Sequence, residues 1–307
     1  MTTSSTTAFN LDLNDLIEEA FERCGLELRT GYDFRTARRS LNLLTVEWAN
    51  RGINLWTVEQ GQIVMNTGQA TYALPNDTID LLDQTIRQNN GTQNQIDINI
   101  SRISEPTYMT IPNKLTQGRP IQVWINRQSG QTNTVASTTL DGAISSTDVT
   151  ITLTSTAGLA TSGFIKIDNE TIVYSNISGN QLLNCSRGQA NTTAASHLTG
   201  ASVYAQNLPS INVWPTPNAG GGYVFVYYRL RRMQDAGSGV TEQDIPFRFV
   251  PCMVAGLAYY ISMKKPEVAP ERIAMLKADY EQQFQLAAEE DREKAPVRFV
   301  PRTIFYA

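Results

Sequence analysis

The chain has 307 residues, enough for one large domain or two modest ones, and 41% of them are hydrophobic, which is adequate for a core. Its 25 Lys and Arg residues against 29 Asp and Glu residues give a net charge of −4, which excludes a global electrostatic attraction to nucleic acid. Three widely spaced cysteines predict buried thiols in a reducing compartment rather than a disulfide framework or a zinc site. We expect no signal peptide and no membrane partner, because the start has no basic or apolar region and the longest nearly apolar run, residues 250–263, is shorter than the about 20 residues of a span.

Hydrophobic residues at helical spacing predict two helices near the N-terminus. The first covers residues 12–24 and stops at Gly25, and the second covers about residues 33–50 and stops at Gly52. Glycine is common just after a helix because it adopts the left-handed conformation without strain. We expect the two helices to form a short helical hairpin.

From residue 55 onward the apolar period falls to two, which predicts β-strands. The candidates outside the central segment are residues 58–65, 69–74, 79–86, 96–103, 121–126, 211–215 and 223–230. The first two of these are expected to be joined by the turn at residues 66–68, and residues 105–120 form a turn-rich segment.

The central segment, residues 128–205, is rich in Thr, Ser, Asn and Gly and poor in charge. Its apolar residues still alternate, and Asp168-Asn169 is a two-residue turn of the kind that joins hairpin strands. The pattern predicts a small all-β module inserted into a host domain. Such an insertion costs little chain entropy.

A second helix pair is predicted near the C-terminus. Its first helix opens at Asp244-Ile245-Pro246, where Asp244 is expected to cap the free N–H groups, and it stops at Lys264-Lys265-Pro266. Its second helix starts near Pro270. The apolar stripe of that helix consists of Ile273, Leu276, Tyr280, Phe284 and Ala287.

The last residues, 296–307, are predicted to form an extended C-terminal arm. Its two prolines forbid a helix, and its large apolar side chains are poorly suited to water. The arm residues predicted to dock on a partner are Pro296, Val297, Arg298, Phe299, Val300, Pro301, Ile304, Phe305 and Tyr306. We therefore interpret this segment as a strap onto another protein chain.

The predicted fold class is α+β. A helical host domain, made of the N-terminal helical hairpin and the C-terminal helix pair, carries an antiparallel β region, the inserted β module and the arm. The predicted boundaries are 1–136 and 206–295 for the body, 137–205 for the inserted module and 296–307 for the arm.

The sequence offers only weak candidates for a catalytic or metal-binding site. His197 is the single histidine, and although a triad with Ser186 can be drawn, the Gly-x-Ser-x-Gly turn that would expose such a serine is missing. Asp168 and Glu170 resemble a carboxylate pair but are better explained as turn residues. One histidine and scattered cysteines cannot supply a zinc site. We predict no enzyme activity, no metal and no cofactor.

A cluster of arginines at the start of the second helix is the more suggestive feature. Its members are Arg29, Arg35, Arg38 and Arg39. The plain interpretation is a solvated face that pairs with Glu18, Glu19 and Glu22 of the first helix. The alternative is a contact with an acidic neighbouring subunit or with phosphates.

The order of elements resembles the head-to-tail adaptor proteins of tailed bacteriophages, especially the tail accessory or tail tubular proteins of short-tailed phages. The segments that carry the resemblance are residues 44–56, 68–75, 214–217 and 244–246, followed by the acidic helix end and the arm. The insert resembles a β module that recurs in phage virion proteins, through residues 172–174, 185–188 and 197–203.

This resemblance implies a virion protein of the head–tail junction, made in the host cytoplasm. It implies a dodecameric ring below the portal protein, with the arm docked on the portal. The lower sheet would receive the tail nozzle or a tail fibre protein, and DNA would pass through the bore without sequence-specific binding.

Two other functions stay open at the level of sequence. The charge-poor insert would suit a tail protein that binds a host receptor or glycan. A cell-wall hydrolase is disfavoured by the missing catalytic set.

Overall fold

The computed structural model describes residues 11–53 and 55–292. They fall into two compact units: a helical unit from the described residues up to Thr57 and from Met233 onward, and a β unit formed by Val58–Arg232. The described chain is mixed α and β, as the sequence predicts, with five α-helices and mainly antiparallel sheets. The inserted module and the other strands share the β unit, so the predicted boundaries at 136/137 and 205/206 stay predictions.

Four long helices form the helical unit, and a single short helix lies in the β unit. Their bounds are α1 Leu13–Cys24, α2 Gly31–Arg51, α3 Glu105–Met109, α4 Val250–Ser262 and α5 Pro270–Glu290. α1 begins where the Asp12 side chain accepts a hydrogen bond from the Asp15 amide, and it ends at Gly25, whose φ is 75°. α2 likewise ends at a left-handed Gly52.

α4 is the central helix of this unit, because it packs against α1, α2 and α5. α1 and α2 contact each other only sparsely, so the predicted N-terminal hairpin is a pair of helices that share α4 as their partner. Gly256 of α4 leaves room for Leu44 of α2 and Tyr280 of α5. The Trp48 indole donates to the Tyr280 hydroxyl at 3.2 Å, which ties α2 to α5.

The predicted start of the C-terminal helix pair needs a correction. A 3₁₀ turn, Phe247–Phe249, precedes α4, and its N-cap Pro246 supplies no side-chain hydrogen bond. Asp244 precedes that cap position, and its carboxylate accepts a hydrogen bond from the Gln234 amide at 3.1 Å. α5 begins at Pro270, as expected, and its predicted stripe faces the core: Leu276, Tyr280 and Ala287 are buried, and Ile273 and Phe284 are half-buried against them.

Nineteen strands make up the sheets of the β unit. The strands before the insert are β1 Val58–Val64, β2 Thr71–Ala73, β3 Thr78–Gln88, β4 Ile96–Asn99, β5 Ser101–Ile103, β6 Gln117–Gly118 and β7 Gln122–Asn126. Those in and beside the insert are β8 Gln131–Thr132, β9 Thr138–Thr139, β10 Ile151–Thr152, β11 Gly163–Ile167, β12 Glu170–Tyr174, β13 Asn176–Ser178, β14 Gln181–Leu183, β15 Ser186–Gln189 and β16 Ser202–Asn207. The last three are β17 Ser210–Trp214, β18 Thr216–Pro217 and β19 Tyr223–Arg231.

Two four-stranded sheets share one core, with orders β1-β19-β3-β4 and β2-β17-β7-β5. The turn predicted at residues 66–68 does connect β1 to β2, but the two strands belong to different sheets and are not paired with each other. The predicted strand over residues 96–103 is also divided between the two sheets, as β4 and β5. Both segments pass from one sheet to the other at a buried residue, Met65 or Ile100.

The inserted module has a hydrophobic core of its own, built from buried residues between Leu140 and Val203. Its main sheet has the order β15-β12-β11-β16-β8, with β9 also paired to β16. The hairpin predicted at Asp168-Asn169 is confirmed as the antiparallel pair β11–β12, with Asp168 at a φ of 50°.

Candidate functional site

An acidic groove runs along the outer side of α1. Its carboxylates come from Asp15, Glu18, Glu19 and Glu22, and its apolar floor comes from Leu11, Val250, Pro251 and Val254. The groove encloses about 430 Å³. Arg23 pairs with Glu19 at 3.0 Å, so the other three carboxylates supply the groove's excess negative charge.

A basic groove lies beside α2 and the end of α4. It encloses about 540 Å³ and is lined by Tyr32, Thr36, Arg39, Leu43, Lys264 and Lys265. Two apolar side chains stand out from it, because Tyr32 is 63% exposed and Leu43 is 57% exposed. Exposed aromatic and aliphatic side chains beside cations are typical of a protein interface.

The charges of the basic groove are unevenly neutralised. The Lys265 ammonium lies 2.6 Å from the Asp33 carboxylate, and its hydrogen bond lowers the pKa of Asp33. The Lys264 ammonium donates to the Ser40 hydroxyl at 2.7 Å, and burial together with the charge of Arg39 lowers the pKa of Lys264. The groove therefore keeps an excess of positive charge, to which Arg39 and Lys264 contribute.

The predicted arginine cluster is dispersed by the helix geometry. Arg29 precedes α2 and pairs with Glu27, while Arg38 donates to the Ala236 carbonyl at 2.7 Å. Arg35 and Arg39 are one helical turn apart and exposed. The predicted pairing with α1 is wrong for Glu19, whose partner among the described residues is Arg23 of its own helix.

The predicted docking arm, residues 296–307, lies outside the described residues, and its role stays a prediction.

A buried ionic network lies in the inserted module, centred on Glu170, which is 1% exposed. Its carboxylate accepts two hydrogen bonds from Arg187, both at 2.8 Å, and one each from the amides of Gly188 and Ala195. The fifth contact is His197 Nε2 at 2.8 Å. Burial alone would raise the pKa of Glu170, but these hydrogen bonds outweigh it and lower the pKa to about 2.

The side chains of His197, Asp168 and Ser186, which the sequence offered as candidates for chemistry, all make structural hydrogen bonds. Both ring nitrogens of His197 are engaged, since Nδ1 lies 2.7 Å from the Asp168 carboxylate. The Ser186 hydroxyl donates to the Gln69 side chain at 2.7 Å, so the triad drawn from the sequence is not assembled. Sequence reasoning missed Arg187, although an arginine in a segment with few charges is a signal that a buried carboxylate needs a partner.

Within the described ranges, no group of His, Cys, Asp and Glu side chains is placed to hold a metal ion. The three cysteines are free and buried, as predicted, and burial raises the pKa of each thiol. No helix in the described ranges has the length and apolar character needed to span a membrane.

Comparison with known proteins identifies the family. No curated protein matches the chain. The family described as SU10 adaptor protein matches residues 116–301, which is more than half of the sequence and includes the inserted module, the last strands, α4 and α5. The chain therefore belongs to the SU10 adaptor protein family, and it is an adaptor-type structural component of a bacteriophage virion.

Proposed function

We propose that this protein is the head-to-tail adaptor of a short-tailed phage, which assembles into a closed ring, a dodecamer, between the portal protein and the tail. The ring forms when the basic groove of one copy meets the acidic groove of the next. The family match and the opposite charges of these two grooves support the proposal.

The two grooves are made by different parts of the helical unit, so a contact between them is head-to-tail rather than two-fold. A head-to-tail contact repeats from copy to copy and either closes into a ring or continues as a filament. Because each copy offers one groove of each charge, every copy in a closed ring has both grooves filled.

The apolar residues give this contact its strength. Tyr32 and Leu43 would pack on the floor formed by Val250, Pro251 and Val254. Full burial of one such large side chain is worth about 1.5–3 kcal/mol. The ion pairs at the edges add only about 0.2–1 kcal/mol each, but they set the orientation and exclude contacts between like grooves.

The remaining parts of the proposal concern the partners. The arm, residues 296–307, docks on the portal, and the tail nozzle or a tail fibre protein binds the β unit. DNA passes through the bore without sequence-specific contacts. The protein acts by geometry and has no catalytic step.

Charge reversal tests the ring contact. We expect Glu18→Lys with Glu22→Lys, and separately Arg39→Glu with Lys264→Glu, each to leave a folded monomer, because both grooves then carry the same sign. A mixture of the two variants should assemble, since each contact in an alternating ring again joins opposite charges. Sedimentation velocity at low and high salt measures the outcome.

The control for this experiment is a second pair of Glu→Lys changes outside both grooves, Glu267→Lys with Glu289→Lys, at exposed positions of the same unit. This control should assemble like the unaltered protein. The proposal is wrong if either groove variant assembles normally, or if the folded variants fail to assemble on mixing.

Truncation tests the arm. A chain that ends before Pro296 should still form rings but should no longer sediment with purified portal rings. Undiminished attachment of the shortened protein would refute the docking role of the arm.

A further inference from the structure

A neutral cleft in the β unit has no role in the proposed ring contact. It encloses about 790 Å³ between one edge of the inserted module and the outer face of the β2-β17-β7 strands. The described residues that line it include neither Asp, Glu, Lys or Arg nor His. Volumes of about 300–1,000 Å³ are typical of small-ligand sites.

The floor of the cleft is a row of side chains across three paired strands. Asn212 is opposite Thr71 on one side and Trp124 on the other, and all three line the cleft. The Thr71 hydroxyl donates to the side-chain oxygen of Asn212 at 2.6 Å, so the NH₂ group of the same amide supplies a donor to the lining. Trp124 is held by stacking on Tyr108, with ring centroids 5.4 Å apart.

The opposite wall belongs to the inserted module. It presents the aromatic ring of Phe164, the hydroxyl of Ser175 and the amide of Asn184. Ser175 and Asn184 are both exposed, so their polar groups are accessible to a ligand.

The two sides of the cleft are held together, so the cleft is preformed. Val173 of the module packs with Ala73 and Leu208. The side-chain oxygen of Gln69 accepts hydrogen bonds from the Ser186 hydroxyl of the module at 2.7 Å and from the Asn66 side-chain NH₂ group at 2.9 Å. A preformed site loses little entropy when a ligand binds.

We propose that this cleft binds a neutral oligosaccharide. Aromatic rings offer flat apolar surfaces to the C–H faces of sugar rings, while amides and hydroxyls both donate and accept hydrogen bonds, as sugar hydroxyls do. The uncharged lining gives no counter-ion to a phosphate, a carboxylate or an ammonium group, and desolvating such an ion without a counter-ion is costly. The proposal does not depend on the ring contact, which belongs to the helical unit.

An array of neutral and uronic-acid-containing oligosaccharides, probed with the full-length protein, tests the proposal. We expect saturable binding of neutral glycans and no binding of the acidic ones. The affinity for the best neutral glycan is then measured by saturation-transfer NMR for three variants. Ser175→Trp fills the cleft, Trp124→Leu keeps apolar bulk but removes the aromatic face, and Ser178→Trp is the control, at an exposed position outside the cleft.

Ser175→Trp and Trp124→Leu should each weaken binding by about tenfold or more, and Ser178→Trp should not change it. The inference is overturned if no neutral glycan binds, if acidic glycans bind better, or if Ser175→Trp binds like the unaltered protein. Because these variants leave the helical unit untouched, ring assembly reports separately on the proposed function.

Discussion

Replacing Glu170 by Gln should destabilise the inserted module without disturbing the helical unit. The Glu170 carboxylate is the shared acceptor of five hydrogen bonds from Arg187, Gly188, Ala195 and His197. Gln keeps the shape but removes the charge and puts an NH₂ group where donors converge. The Arg187 guanidinium, whose side chain is 7% exposed, then has uncharged acceptors in place of a carboxylate, namely one amide oxygen of the new Gln and the backbone carbonyls of Ser145, Asp148 and Ala195.

The pKa shift of Glu170 and the usual cost of breaking a buried ion pair both indicate how much the module should be destabilised. The pKa of Glu170 falls from its usual 4.5 to about 2, and a difference of that size is worth about 3 kcal/mol at neutral pH. Removal of one partner from a buried ion pair costs about 3–5 kcal/mol. We therefore expect the free energy of opening of the module to fall by about 3 kcal/mol.

Hydrogen exchange measured peptide by peptide is the suitable assay, because the chain has two units and a single unfolding midpoint would mix them. Peptides from β11, β12 and β16 should exchange about a hundredfold faster in Glu170→Gln. The control is Asp141→Asn, an exposed carboxylate of the same module, which should change exchange little. If Glu170→Gln protects these peptides as well as Asp141→Asn does, the network does not stabilise the module.

Three further predictions follow from burial and close packing. The pKa of Glu170 is lowered in the folded state, so the stabilisation that its carboxylate gives the module is complete above about pH 4.5 and is lost as the pH falls toward 2. The protection of β12 amides from hydrogen exchange should therefore decline over that range in the unaltered protein. It should not decline over that range in Glu170→Gln. Gly256→Ala should lower the free energy of unfolding of the helical unit by about 1–3 kcal/mol, since an added Cβ would lie 2.9 Å from Leu44. Gly31→Ala is the control, because the space around Gly31 is open, and it should not lower that free energy. Urea titrations of the two variants compare them. Burial raises the pKa of Cys24 to about 11 and of the other two thiols to about 12, so none of the three should react with a thiol reagent at pH 8 until the protein is unfolded.

The helices were predictable from sequence because their signals are local. The apolar residues at helical spacing in α1 are the ones that the structure buries, namely Leu13, Leu16, Ile17, Ala20, Phe21 and Cys24, and Gly25 ends the helix where the pattern stops. The hairpin at Asp168-Asn169 was predictable for the same reason. In each case the deciding contacts lie within a few residues of one another.

Strand partners were less predictable, because they are set by contacts between distant parts of the chain. Val58 is opposite Leu230 in the sheet, and no local pattern distinguishes that partner from the neighbouring β2. The two grooves were difficult to predict for the same reason, because each is lined by residues that are distant in sequence. The acidic groove needs Val250 and Pro251 beside α1, and the basic groove needs Lys264 beside α2.

The arginine cluster shows what sequence reasoning can resolve about a site. The sequence identifies the four arginines and leaves two interpretations open, a solvated face or a contact with a partner. The structure turns Arg38 toward the Ala236 carbonyl and leaves Arg39 in the basic groove. The spacing of the arginines in the sequence therefore indicated a positively charged surface on α2, but it did not indicate which of the arginines line the basic groove.

Electron microscopy of the purified protein mixed with its portal protein tests the central claim most directly. The account predicts closed rings of this chain stacked coaxially on the portal, with the central bore open. A protein that stays monomeric, or rings that remain separate from the portal at concentrations at which both are fully assembled, would contradict it.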